Sequence, residues 1–365
     1  MFPFRSRSNE HPEGPVPIKR RVLSLPSLVS LALAGAFLFF LVNRFDVDPG
    51  VAWDRVRDSN PWYLALAVLV HYTTFLFRGA RWSILLRNAQ EDGSAAPGVL
   101  YCSQLVLLGW FANSVAWFRL GDAYRAYLYR DEMGASFSRT IGTLLAERML
   151  DAILVALLLL AAIPFLIGGG DIVTWAVLGT AIVLVVTLTV VFLVLRLAKD
   201  RALRMLPGWL AERYQRLQEG AVGSFRQVPP VTILGLLAWL SEVGRLYLVA
   251  HALNLGLGIP LIIFITLANS LLTLVPTPGG IGAVESGVAG LLVRLSSLSV
   301  NAATALVLVD RSITYVSVIA VGAVLFVLRR LIPRWSHPPD TLKWGMKGPA
   351  HPRKSPVRKA DAIHR

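Results

Sequence analysis

Apolar runs near bilayer length recur along this chain, at about 23–42, 61–85, 99–117, 138–167, 172–195, 231–254, 260–275, 281–297 and 302–328. A helix needs about 20 apolar residues to cross a hydrocarbon core. Runs of that length leave little choice of solvent, because in lipid the backbone must satisfy its own polar groups, and helices do so within one segment. The expected fold class is all-α, a polytopic helical membrane protein. Mean hydropathy of +0.59 agrees, as does a charged fraction of only 16%. The net charge of +14 does not point to nucleic acid, because the surplus sits in the tails and one linker, where membrane proteins carry their orientation signal. A single cysteine, Cys102, excludes an internal disulfide framework and a multi-cysteine metal site. No metal ligand set and no cofactor motif stands out.

Charge sets the expected topology. The leader 1–22 carries Arg5, Arg7, Lys19, Arg20 and Arg21, the linker 196–230 carries seven Lys/Arg, and the tail from Arg329 carries ten. The positive-inside rule places all three in the cytoplasm. That count closes with six full spans and two re-entrant elements inside a membrane domain 23–330. Run 99–117 enters and returns from the cytoplasmic face, and 260–297 does so from outside. Two short full spans over 260–297 give the same end topology. Both termini are then cytoplasmic, in a cell (plasma) membrane. The tail 331–365, rich in Pro, Lys and Arg, is expected to be disordered and to touch the anionic inner leaflet.

Two interrupted regions echo each other. "ANSVAWFRLGDAYRA" (112–126) and "ANSLLTLVPTPGGIGAVES" (268–286) share Ala-Asn-Ser, an apolar stretch, a glycine break and an acid. Downstream, Glu147-Arg148 matches Asp310-Arg311; upstream, "FRGARW" (77–82) loosely matches "EVGRLY" (242–247). The units are repeat one, about 61–167, and repeat two, about 231–328, with opposite orientations. Inverted repeats with broken helices are how many transporters build a site reachable from either face.

The candidate site follows from that pattern. Prolines end the incoming helix, and Pro278, Gly279, Gly280 and Gly282 leave helix-start amides for an anion such as a phosphate. Glu285, in the first turns, either caps those amides or meets a basic residue. In the first break, Gly121 and Asp122 mark a helix start, and Arg119 and Arg125 near the cytoplasmic surface would hold phospholipid headgroups. Glu147, Arg148 and Asp151 lie near mid-membrane, where an unpaired charge costs about 2.5–3.5 kcal/mol. They must pair or face water. Arg148 and Arg311 are expected to meet carboxylates of the opposite repeat across a central polar cavity, with Asp310 beside them. Arg81 is expected to snorkel, and Glu242 and Arg245 to pair with each other. Each of these groups also has a plainer role, as a buried ion pair locking helices.

The combination "RW..LL" (81–86), "RLGDAYRAYLYR" (119–130), "ERMLD" (147–151) and "PTPGGIGAVE" (276–285) resembles the flippase-like transmembrane domain of lysylphosphatidylglycerol synthases and the stand-alone membrane proteins of that family. The resemblance covers about residues 24–330. It departs at the first break, where Arg119-Leu120-Gly121-Asp122 replaces the family's proline- and glutamate-containing element. The resemblance implies transbilayer movement of a phospholipid or glycolipid, without the synthase half. Two rivals stand beside it. One is an accessory subunit presenting a lipid-linked substrate to a separate lipid-modifying transferase. The other is a membrane-embedded enzyme using Glu147 and Asp151 as acid and base.

Overall fold

The computed structural model describes residues 54, 57–89, 97–116, 120–165, 172–197, 203–275 and 277–331. The leader, the first apolar run and the tail lie outside the described residues. Among those described there is no strand. The helices are α1 (Pro61–Ala89), α2 (Val99–Val115), α3 (Gly121–Met133), α4 (Phe137–Ala162), α5 (Ile172–Leu197), α6 (Gly208–Gly223), α7 (Val228–Ala252), α8 (Ile259–Leu272), α9 (Ala283–Leu295), α10 (Val300–Arg311) and α11 (Ser317–Leu331). Each expected apolar run from residue 61 onward is helical.

Local chemistry sets the ends. Prolines occupy the first turns of α7 and α8, where their missing N–H has no intrahelical partner to lose. The Ser299 hydroxyl accepts from the Ala302 N–H at 3.3 Å to cap α10. Two boundaries differ from expectation. The linker 196–230 contains a packed helix, α6, rather than a plain loop. Gly142 and Gly220 let α4 and α6 approach so closely that a Cβ on either would run into the other's backbone. Arg139 also reaches Glu219 at 2.6 Å across that contact. The run 302–328 is two helices joined by a π-helical segment, Ser312–Val316.

Three stretches are long and apolar enough to cross a membrane by length and composition: Pro61–Ala89, Gly208–Ala252 and Val300–Arg329. α4 has the length, but Arg139, Glu147, Arg148 and Asp151 interrupt its apolar character. Leu69, Val183, Ile233 and Val324 point outward, on faces that lipid would cover. The chain is a polytopic all-α membrane protein.

Packing brings the two echoing units together. α1 and α7, which correspond in the two repeats, form the most extensive helix pair, while α2 packs on both α1 and α11. The turn at Pro278–Gly280 rests against α2. The two interrupted regions therefore meet, and the Tyr315 hydroxyl donates to the carbonyl of Ser114 at 2.9 Å where they do so.

Candidate functional site

Each break is built around a small set of backbone decisions. In the first, α2 ends at Val115 and α3 starts at Gly121. The Asn113 Oδ1 accepts from the Gly121 N–H at 2.7 Å, so a side chain satisfies an amide that the new helix cannot. In the second, Gly279, Gly280 and Gly282 have φ of 58°, 72° and 92°. These are left-handed conformations that favour glycine. They delay α9 to Ala283, two residues past the expected start. The Glu285 carboxylate turns back and accepts from the Gly282 N–H at 2.6 Å, and the Gly280 N–H is taken by the Thr277 carbonyl at 3.1 Å. Two of the amides expected to hold a phosphate are thus occupied by the chain itself. Asn269, the counterpart of Asn113, has a buried Oδ1 with no hydrogen-bond partner.

The acid–arginine pairs repeat with the same spacing. Arg148 donates from Nε to Asp122 Oδ2 at 2.9 Å and from Nη2 to Oδ1 at 3.0 Å, across 26 residues. Arg311 donates from Nε to Glu285 Oε1 at 2.7 Å, also across 26 residues. Its Nη2 reaches the Gly279 carbonyl at 2.9 Å, and its guanidinium lies over Tyr315. In both halves an arginine, within α4 in the first and at the end of α10 in the second, holds the acid in the first turn of the helix after the break. This corrects the expectation that Arg148 and Arg311 find carboxylates of the opposite repeat: each partner lies in the arginine's own repeat. The physical reason is reach, because the helix after each break folds back beside a later helix of the same half and sets its first-turn acid against that helix's arginine.

The acids next to those arginines are held from upstream. Arg81 donates to Asp151 at 2.6 and 3.0 Å and to Glu147 at 3.1 Å. It is fully buried, which overturns the expectation that it snorkels. Glu147 and Asp151 share one face of α4, as their four-residue spacing requires, and one guanidinium serves both. Arg125 also differs from expectation. It is buried rather than at the surface, donates to Glu147 Oε2 at 3.1 Å and covers Trp82. Arg78 lies between Trp110 and Trp239 and reaches Asp151 at 3.6 Å. In the second half Arg245 pairs with Glu242 at 3.2 Å and also with Asp310. Arg119 lies outside the described residues.

The two clusters have opposite excess charge. Arg78, Arg81, Arg125 and Arg148 face Asp122, Glu147 and Asp151. Arg245 and Arg311 face Glu242, Glu285 and Asp310. The first cluster therefore carries one positive charge too many and the second one negative charge too many. Most of these groups are sealed, but the side chains of Arg148 and Asp122 are each 34% exposed. In the second half a narrow crevice lined by Asn269, Val284, Val288, Asp310 and Arg311 leaves room for little more than a water molecule.

Sequence reasoning missed Arg81, because a basic residue close to a helix end reads as a surface group. It also missed the tryptophans that cover Arg125 and Arg78. The "RW" element of the resemblance was the available signal, since Arg81 and Trp82 are both fully buried.

Broken helices, a buried ionic network and apolar outer faces define a polytopic membrane protein with charged groups packed between its helices. Residues 27–322 match the family described as lysylphosphatidylglycerol synthase TM region, and the chain belongs to that family. Similar proteins include UPF0104 membrane protein MJ1078 of Methanocaldococcus jannaschii, 30% identical over 60% of this chain and 94% of that protein. A UPF0104 membrane protein of Methanothermobacter thermautotrophicus is 24% identical over 76% of this chain and 88% of that protein. Glycosyltransferase AglD of Haloferax volcanii is 24% identical over 81% of this chain, which spans 53% of that protein.

Proposed function

We propose that this protein moves the headgroup of a phospholipid or glycolipid across the bilayer, through the region where its two broken helices meet. The observation that carries this reading is the duplicated 26-residue arginine–acid pair, set beside each break in two units that touch. Paired broken helices near mid-membrane suit a site that opens to each face in turn. Arg148 is the proposed phosphate contact, because about a third of its side chain is exposed and its cluster has a spare positive charge. Arg311 and Glu285 take the corresponding part in the second half, where spare negative charge suits a cationic or hydroxyl-rich headgroup. Asp122, Glu147, Asp151 and Asp310 hold the arginines in place. The arrangement proposed is six full spans and two re-entrant elements, with both termini cytoplasmic in the plasma membrane.

A second reading draws on the relative named glycosyltransferase AglD. In it the membrane domain presents a lipid-linked substrate to a separate transferase. Acid–base catalysis by Glu147 and Asp151 suits the geometry less well, since Arg81 donates to both carboxylates and leaves neither facing an open space.

The test is reconstitution of pure protein with a fluorescent phospholipid or glycolipid. Lipid crossing is expected with the wild type and is lost in Arg148→Ala at unchanged thermal stability. Absence of crossing, with a transferase co-purifying, supports the second reading. A chemically changed lipid supports the enzyme.

A further inference from the structure

His71 lies ten residues into α1, about 15 Å along that helix, and is fully buried. Neither ring nitrogen has a hydrogen-bond partner. Its ring meets Phe75 edge-on at 5.4 Å, with Trp110 of α2 at 6.2 Å. A neutral imidazole carries one donor and one acceptor, and leaving either unmet away from water costs about 1–3 kcal/mol. An apolar residue at this place would avoid that cost. Across the α1–α7 seam, between the level where the Thr74 hydroxyl donates to the Ala238 carbonyl at 3.0 Å and the level where Val70 lies against Gly244, is Glu242. It is 6% exposed and has one carboxylate oxygen on Arg245, while the other, Oε1, is unpartnered. The charged groups within electrostatic reach of the ring are Glu242 and Arg245 on α7 and Arg78 on α1. Behind them stand Asp310, on Arg245, and Asp151, on Arg78.

We infer that His71 and the free oxygen of Glu242 form a proton-binding site at the seam between the two repeats. A metal ion does not suit this place, because two fixed guanidinium groups flank it. A proton does, because it adds to the ring, turns both nitrogens into donors and sets a positive charge within electrostatic reach of the unpartnered Glu242 Oε1. The ring is sealed from water in this structure, so the proton enters from the aqueous phase only when the seam opens. The state that binds the extra proton gains population as pH falls. An acidic face therefore favours opening, and the proton leaves to water on the other side. Coupling of this site to lipid movement rests on the transport reading above; the site itself does not.

Two measurements test it. The first is difference titration of the full-length protein in detergent against His71→Gln between pH 8 and pH 3. The wild type is expected to take up about one proton more, the increment of a single histidine. Glu242→Gln should keep that proton but move its midpoint to lower pH. Equal uptake by wild type and His71→Gln overturns the site, and an unmoved midpoint in Glu242→Gln removes Glu242 from it. The second is lipid movement in proteoliposomes under an imposed pH difference. One unit is expected to change the wild-type rate by up to about tenfold, the limit for one coupled proton, and to leave His71→Gln unaffected. Lipid crossing that ignores the gradient overturns the coupling and leaves the transport reading standing. The extra proton without lipid crossing at any pH does the reverse for the site and the transport reading.

Discussion

Tyr315, in the π-helical segment of the second repeat, donates its hydroxyl to the carbonyl of Ser114, in the last turn of α2 in the first. A side chain of one repeat thus closes a backbone group that the other repeat leaves open at its break. The same ring lies under Arg311 and against Gly279, so one residue touches the pieces of both interrupted regions.

Removing that hydroxyl tests the tie. Tyr315→Phe keeps the ring and its contact with Arg311 but leaves the Ser114 carbonyl without its donor. A loss of about 1–3 kcal/mol is expected, read as a lower melting temperature in detergent. Faster amide exchange at residues 112–116 should accompany it.

Gly279→Ala should be worse than its size suggests. The position has φ of 58°, and a Cβ there would overlap the Tyr315 ring. The conformational strain alone amounts to about 1–2 kcal/mol. Expression and melting temperature should fall together, whereas alanine at Gly290, which has open space around it and no positive φ, should be tolerated.

Arg81 and Arg148 should separate folding from function. Arg81→Ala takes the fully buried guanidinium from Asp151 and Glu147, leaving them only Arg125, Arg148 and the more distant Arg78, and breaking a buried pair in this way costs about 3–5 kcal/mol. Loss of folded protein is the expected result. Arg148→Ala leaves Asp122 with Arg125 at 3.4 Å and removes the surplus positive charge of the cluster, so the remaining carboxylates keep cationic partners. It should fold and fail to move lipid. Loss of folding in both variants, measured by size-exclusion chromatography, would reduce the network to a structural lock.

Topology is open to labelling. Cys102 is buried, and Cys102→Ser gives a background for single cysteines at positions 171 and 215. An impermeant maleimide on intact cells should modify position 171 and spare position 215. Labelling of 215 from outside would invert the orientation proposed for α6 and the helices around it.

The apolar helices from residue 61 onward were readable because length and apolar character suffice for a bilayer span, and tertiary packing had little to override. The breaks were readable for a related reason. Proline and several glycines inside a membrane run have few explanations other than a turn enclosed by protein. Partner choice was not readable. Glu147, Arg148 and Asp151 announce a buried network, but which arginine meets which acid depends on how α3 folds back on α4, and no periodicity encodes that. Arg81 and Arg125 looked superficial because their charge was weighed without the tryptophan and carboxylates that three-dimensional packing delivers. α6 was hidden by the opposite effect: its basic, mixed composition resembles a solvated linker, while its glycine contact with α4 is visible only in space.

The π-helical stretch after Arg311 winds more residues into each turn than the helix on either side. A continuous α-helix through the same positions would rotate Asp310 and Arg311 by about 100° per residue of register relative to α11. Deleting one residue from 312–316 would perform that rotation permanently, carrying the guanidinium off Glu285 and the Gly279 carbonyl. The wider winding thus works as a rotational set-screw: it fixes the azimuth at which the second repeat's arginine faces its turn.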